Sequence, residues 1–232
     1  MTAQTLSELG AAVDRLSLEV GRFRDVEAIR RLHFTYGYCM DKWLFDDIVD
    51  LFAEDCVLNF MNGIFKGRAG AQRMYGWTRG VKGPQDGQLG EHIMAQEVID
   101  IAPDGQQAFG RFRCFLQGGI HESKAGDYPP GTVAQFWEAG VYENTYVKRD
   151  GVWQIKIFNY RIAYQSDYEH GWAHSPIEPL VAHNFEGTFP EDPYGPDELR
   201  PVQPQWPSNR LMPFHYPHPV TGAEIGAEYA DR

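Results

Sequence analysis

DVEAIRRLHFTYGYCMDKWLFDDIVDLFAEDCVLNF, residues 25–60, changes its hydrophobic period once, and that change decides the fold. Val26, Ile29, Leu32, His33, Tyr36 and Met40 recur at helical spacing, with Asp25 as the candidate N-cap. Gly37 weakens the last turn. A further helix reads from Trp43 to Phe52, with Leu44, Ile48, Leu51 and Phe52 on one face. Then the period shortens. Cys56–Met61 reads as a strand that returns through Asn62-Gly63, a strong two-residue turn signal, into Ile64–Lys66.

Working outward, Leu6, Leu9, Val13, Leu16 and Val20 predict a separate helix over residues 3–20. Downstream, Gly67–Trp77 reads as a helix and Arg79–Gly90 as a Gly-rich loop. Long strands follow at Glu91–Ala102, Gln107–Gly118, Val133–Arg149 and Val152–Tyr164. Turns at Pro103-Asp104-Gly105 and Arg149-Asp150-Gly151 separate two pairs of them, and a polar loop, Gly119–Gly131, separates the middle two. Helices first and an antiparallel sheet afterwards imply an α+β layer in which a curved sheet wraps over N-terminal helices. Such an arrangement leaves a pocket suited to a small, largely apolar molecule.

The composition shifts after Tyr164: eleven of the fifteen prolines lie beyond it, so that segment builds no core of its own. It keeps Trp172, Phe185, Phe189, Trp206, Phe214 and Tyr216, unlike a disordered tail. Residues 1–164 therefore read as the domain, and 165–232 as an extended arm that packs on it or on a neighbouring subunit.

Of the 232 residues, 43% are hydrophobic, enough for a real core. A net charge of −11 disfavours nucleic acid and anionic membranes as partners. No stretch is long and apolar enough to cross a bilayer, and MTAQTLSELGAAVDRLSLEV lacks the pattern of a secretion signal, so the cytoplasm is the expected location. Cys39, Cys56 and Cys114 are odd in number and widely spaced, with no CxxC or Cys/His cluster. They read as buried thiols, with neither a disulfide nor a metal indicated. No nucleotide-binding glycine loop occurs, so no cofactor is expected.

The quoted run resembles the opening of SnoaL-like proteins of the NTF2-like superfamily. FKGRAGAQRMY is similar to the strand–Gly–helix element that follows there, GEHIMAQEVIDI to its histidine-bearing strand, and GVYENTYVKRDGVWQIKIFNYRI to its closing hairpin. The resemblance spans roughly residues 25–164 and implies a cone-shaped α+β barrel. It points to scytalone dehydratase, bile-acid 7α-dehydratase, hexachlorocyclohexane dehydrochlorinase and the sphingomonad lyases that release formaldehyde from lignin-derived diarylpropanes. What these imply is a cofactor-independent lyase acting on a hydroxylated aromatic, with an aspartate after the second helix supporting a histidine on the first long strand. Here those residues are Asp41 and His92, with Tyr36 as a third catalytic group. Asn159 matches a substrate-contacting position on the last strand, and Arg161 shares its face; Trp137 and Tyr142 are further candidates for the pocket wall. The same resemblance implies a homo-oligomer, with a trimer as the expected order. A polyketide cyclase and a non-catalytic β subunit of a ring-hydroxylating dioxygenase are the other outcomes this fold allows.

Taken by themselves the residues leave plainer roles open. Strand alternation places His92 with Met94, Gln96 and Val98, where it serves as a base or as a hydrogen-bonded core histidine. Asp41 could N-cap the next helix, and Tyr36 could be core. Asn159 and Arg161 fit a sheet edge, and Arg111 and Arg113 a solvated strand face. Lys42 fits a surface charge, and His121 and Glu122 a polar loop. His215 and His218, in PFHYPHP, are too hemmed in by prolines for a preformed metal site.

Overall fold

The two predicted N-terminal helices are one. In the computed structural model, which describes residues 3–78, 80–128, 132–174, 184–190 and 193–229, α1 runs unbroken from Ala3 to Asp41. Asp25 therefore caps nothing. Its carboxylate accepts from Lys148 Nζ at 2.7 Å and from Trp153 Nε1 at 2.8 Å, contacts that outweigh the weak helix propensity of an aspartate. Where α1 ends, Leu44 N–H reaches back to Cys39 C=O at 2.9 Å and Trp43 N–H to Met40 C=O at 3.2 Å. Trp43 takes the left-handed conformation (φ 53°) that this Schellman closure needs, though it is not glycine. Asp41 is thus fixed as the last helical residue with its carboxylate left for other work.

Next come α2 (Phe45–Asp50), β1 (Phe52–Phe60), β2 (Gly63–Lys66) and α3 (Gly67–Tyr75). The β1–β2 hairpin pairs Phe60 with Gly63, so its two loop residues are Met61 and Asn62, one position before the predicted pair. Asn62 is buried because it holds the arm: its Oδ1 accepts from Phe185 N–H and its Nδ2 donates to Asn184. The long strands are β3 (Gln88–Ile101), β4 (Gln107–Ile120), β5 (Gln135–Arg149) and β6 (Val152–Asp167), with a 3-10 turn, Glu122–Asp127, between β4 and β5. Adding β7 (Glu198–Leu199) from the arm, the sheet order is β3-β4-β5-β6-β1-β2-β7. Every pairing is antiparallel except β1 with β6. Register shifts at Ala95/Val98, Ala139/Gly140 and Thr145/Tyr146 mark bulges, which add twist and bend the open sheet around α1.

Ile29, His33 and Tyr36 form the buried stripe of α1, set against Phe112, Tyr142 and Phe158 of the sheet. Gly37 adjoins that stripe for a reason: a Cβ there would lie 3.2 Å from Met94 and 3.4 Å from the His92 carbonyl, so its absence lets β3 approach the helix. Gly140 serves the sheet likewise. A Cβ would stand 2.5 Å from the Tyr160 ring, which cannot retreat because it stacks on Tyr142 and donates to Glu138. Gly140→Ala is therefore expected to cost about 1–3 kcal/mol in urea denaturation; an unchanged midpoint would show that Tyr160 moves freely.

The described parts of the arm lie along their own domain. Asp197 accepts from Arg73 at 2.6 Å, Trp206 N–H donates to Ala163 C=O, and Phe185 joins the partly buried rim of the core. Arg111 is not on a solvated face. It pairs with Glu143, donates to the Met212 and Pro213 carbonyls, and lies 4.0 Å over the Phe214 ring. His215 is clamped between Glu143 and Asp100. Arg111 and His215 thus pin residues 212–216 to β4 and β5. Cys39, Cys56 and Cys114 are free and buried, and burial pushes the thiols of Cys56 and Cys114 up to about 11 and about 12.

Candidate active site

α1 and β3 bring Asp41 and His92 together. Asp41 Oδ1 accepts from the His92 backbone N–H at 2.7 Å and lies 2.8 Å from His92 Nδ1. The carboxylate is 5% exposed and the imidazole 15%, so the acid is sealed behind the ring and the ring keeps a face toward solvent. With Nδ1–H given to Asp41, the neutral ring carries its lone pair on Nε2, the nitrogen available as a base. The same carboxylate would stabilise the imidazolium once the ring accepted a proton.

His92 pairs across the sheet with Leu116, Leu116 with Glu138, and Glu138 with Gln165. Directly opposed residues share a face, so His92 and Glu138 project to the same side, about 10 Å apart with one strand between them. Leu116, between them, keeps part of its surface open. Glu138 is buried; Tyr160 donates to its Oε1 at 2.8 Å and Gln165 Nε2 to its Oε2 at 2.7 Å. Burial pushes its carboxyl above the usual range, against the opposing pull of Gln165, Tyr160 and the His92 charge. Glu138 is thus easier to protonate than an exposed glutamate. The sequence offered a signal for it: in Phe136, Glu138, Gly140, Tyr142, Asn144 and Tyr146 it is the one acid on the core-facing alternate positions.

Tyr36 and Tyr142 belong to the aromatic interior, and Asn159, Arg161 and Trp137 do not. Tyr36 is buried, 3.4 Å from the Tyr75 hydroxyl, with rings of Tyr142 and Phe158 around it; burial raises its phenol. Tyr142 sits in the same aromatic cluster. Because Phe158 and Tyr160 point toward the helix side, alternation sends Asn159 and Arg161 to the outer face, where Arg161 bonds Gln203 of the arm. Trp137, next to Glu138 in the strand, stacks between Phe115 and Tyr168. Tyr36 nevertheless feels the charge of Glu138, and Glu138 that of His92, so the phenol belongs to the same interior as the pair. Alternation along β3 also stops at Met94: Gln96 takes φ 51° in the bulge and bonds Arg113, and Glu97 turns to Arg30 of α1. Gln96 therefore does not continue the His92 face. Lys42 pairs loosely with Glu91 at 3.4 Å, and His121 bonds Ser123 within its own turn.

A cavity of about 600 Å3 opens beside the end of α1, lined among others by Trp43, Trp77, Gln85, Lys124, Asp127 and Tyr128. Trp43, which the closure of α1 holds in the left-handed region two residues after Asp41 in the chain, is part of an aromatic group with Trp77 and Phe45. Among the described residues, no group of three His, Cys, Asp or Glu side chains is arranged to hold a metal ion, and no helix is long and apolar enough to cross a membrane.

The SnoaL-like domain profile matches residues 21–159, from within α1 into β6. No curated protein matches the chain in sequence. Among solved structures, it is similar to a putative scytalone dehydratase from Novosphingobium aromaticivorans at a TM-score of 0.52 and 21% identity, covering 72% of this chain and 99% of that one. It is also similar to the hexachlorocyclohexane dehydrochlorinase LinA-type3 from Novosphingobium barchaimii, at a TM-score of 0.51 and 19% identity, over 66% and 95% of the two chains. At such identities the likeness is one of fold. With more than half its length matched by the profile and the curved, unclosed sheet wrapped on its N-terminal helices, the chain belongs to the SnoaL-like domain family and has the NTF2-like cone fold.

Proposed function

We propose that the protein is a cofactor-independent lyase that removes water, or formaldehyde by retro-aldol cleavage, from a hydroxylated aromatic substrate of the kind lignin supplies. The observation that carries this reading is the carboxylate–imidazole pair of Asp41 and His92, a buried acid holding a partly open base. In elimination, His92 Nε2 takes a proton from an acidified C–H, that bond's electrons form the new double bond, and the C–O bond breaks. The departing oxygen leaves as water on receiving a proton from the imidazolium or from Glu138. In the retro-aldol case the base takes the hydroxyl proton instead, the C–C bond breaks, formaldehyde departs, and the carbanion is quenched by the same proton. Both routes need one positioned base and one returned proton, a pairing worth about 100- to 10,000-fold per transfer. Trp43, Trp77 and Tyr128 line the cavity at the end of α1, where ring-on-ring contact would reward a flat π surface, although neither Asp41 nor His92 is part of that lining.

The test is mass spectrometry of purified protein, without added cofactor, against a panel of hydroxylated aromatics and lignin dimers. Loss of water or formaldehyde from a panel member, undiminished after dialysis against a chelator, is the expected result. A folded protein that releases neither from any member would overturn this reading.

A further inference from the structure

The first half of α1 carries an apolar seam that its own domain leaves uncovered. Leu6, Leu9, Val13, Leu16, Val20 and Phe23 are each 46–75% exposed. Their spacing, 3-4-3-4-3, is the a/d alternation of a heptad repeat: Leu6, Val13 and Val20 at a, Leu9, Leu16 and Phe23 at d. At 3.6 residues per turn this seam lies on nearly the opposite side of the helix from the Ile29, His33 and Tyr36 stripe that packs on the sheet. It is therefore not an extension of the core face.

The seam also stops where the helix docks. The next a and d positions are Glu27 and Arg30, which bond each other, and Arg30 further bonds Glu97 of β3. Beyond Asp25, held by Lys148 and Trp153, the helix is committed to its own domain. Before it, the segment has Gly10 and Gly21 to weaken it and no sheet beneath. A helix of such length in water depends on packing an apolar face.

We infer that residues 6–23 of α1 pair with the same segment of a second copy of this chain as a parallel, two-stranded coiled coil, in place of the three-chain order that the family resemblance implies. Two of three a positions are β-branched and two of three d positions are leucine, the combination that favours two strands. Orientation follows from charge. Glu19 occupies g and Arg24 the e position five residues on, so a parallel, in-register pair sets Glu19 of each chain against Arg24 of the second copy, twice per dimer. An antiparallel pair would not bring these two charges together, because it matches g with g and e with e. The polar a and d residues after Phe23 let the two helices part, each toward its own domain.

Sedimentation of the full chain tests this. Wild type is expected at twice the 26.4 kDa chain mass, and Leu9→Lys with Leu16→Lys at the mass of one chain with an unchanged near-ultraviolet circular dichroism spectrum. Glu19→Arg alone should raise the dissociation constant roughly 3- to 10-fold, and adding Arg24→Glu should restore it. A single-chain mass for wild type at tens of micromolar, or a double-lysine variant that keeps the wild-type mass, would overturn the seam as an interface. A three-chain wild-type mass would overturn the two-stranded order, and a charge swap without rescue the parallel register.

Discussion

Replacing His92 by alanine is expected to lower kcat about 100- to 10,000-fold on whichever panel substrate the wild type turns over, with little loss of stability. The two halves of that expectation have separate causes. The imidazole supplies the base; in its row Leu116 is inert and both oxygens of Glu138 are already engaged by Tyr160 and Gln165. The stability is spared because Asp41 does not depend on the ring alone. Its Oδ1 also accepts the backbone N–H of residue 92, which alanine keeps, so the buried carboxylate is not left without a donor. Asp41→Asn should lower kcat too, because the amide cannot stabilise an imidazolium, yet it preserves the backbone bond. Asp41→Ala removes that acceptor and should cost a further 1–3 kcal/mol or so of stability. Wild-type turnover by a folded His92→Ala variant would remove the pair from the mechanism.

Much of this was readable beforehand, and the failures share a cause. Period shifts placed α2, α3 and β1 to β6, though not β7 of the arm, since hydrophobic spacing is a local property that the fold has to satisfy. Asp41 and His92 could be proposed together only through family resemblance; fifty-one residues apart, they meet because a Schellman closure stops α1 and Gly37 admits β3. Sequence misjudged what tertiary contacts redirect. Asp25 looked like a cap because its partners, Lys148 and Trp153, are distant in the chain. Gln96 looked like a neighbour of His92 on one strand face because a bulge has no local signature strong enough to break an alternating pattern. Arg111 looked solvated because the arm that covers it arrives a hundred residues later. Glu138 was overlooked although an acid on the core parity of a strand is itself informative.

The core histidine gives the second large effect, a loss of stability in acid. His33 lies 3.8 Å from the Phe112 ring, meets the edge of Tyr142, and shares a 3.2 Å hydrogen bond with the Tyr146 hydroxyl. Complete burial lowers its pKa from 6.5 to about 3. Because the folded value lies below the unfolded one, the unfolded chain binds the extra proton between those limits. The contribution of His33 is therefore complete above pH 6.5 and is lost as pH falls toward 3. At about 1.4 kcal/mol per unit, that amounts to roughly 2–3 kcal/mol by pH 4.5. Glu138 acts in the opposite sense: its raised folded pKa gives stability that is present below 4.5 and fades as pH rises. The two slopes partly cancel in wild type, so single variants must separate them. In urea melts from pH 7.5 to 4.5, His33→Phe should lose less stability toward acid than wild type by those 2–3 kcal/mol, and Glu138→Gln should lose more. Comparing slopes rather than absolute stabilities removes the packing cost of the larger phenylalanine ring. A His33→Phe slope equal to that of wild type would mean that the buried imidazole accepts its proton without leaving the core.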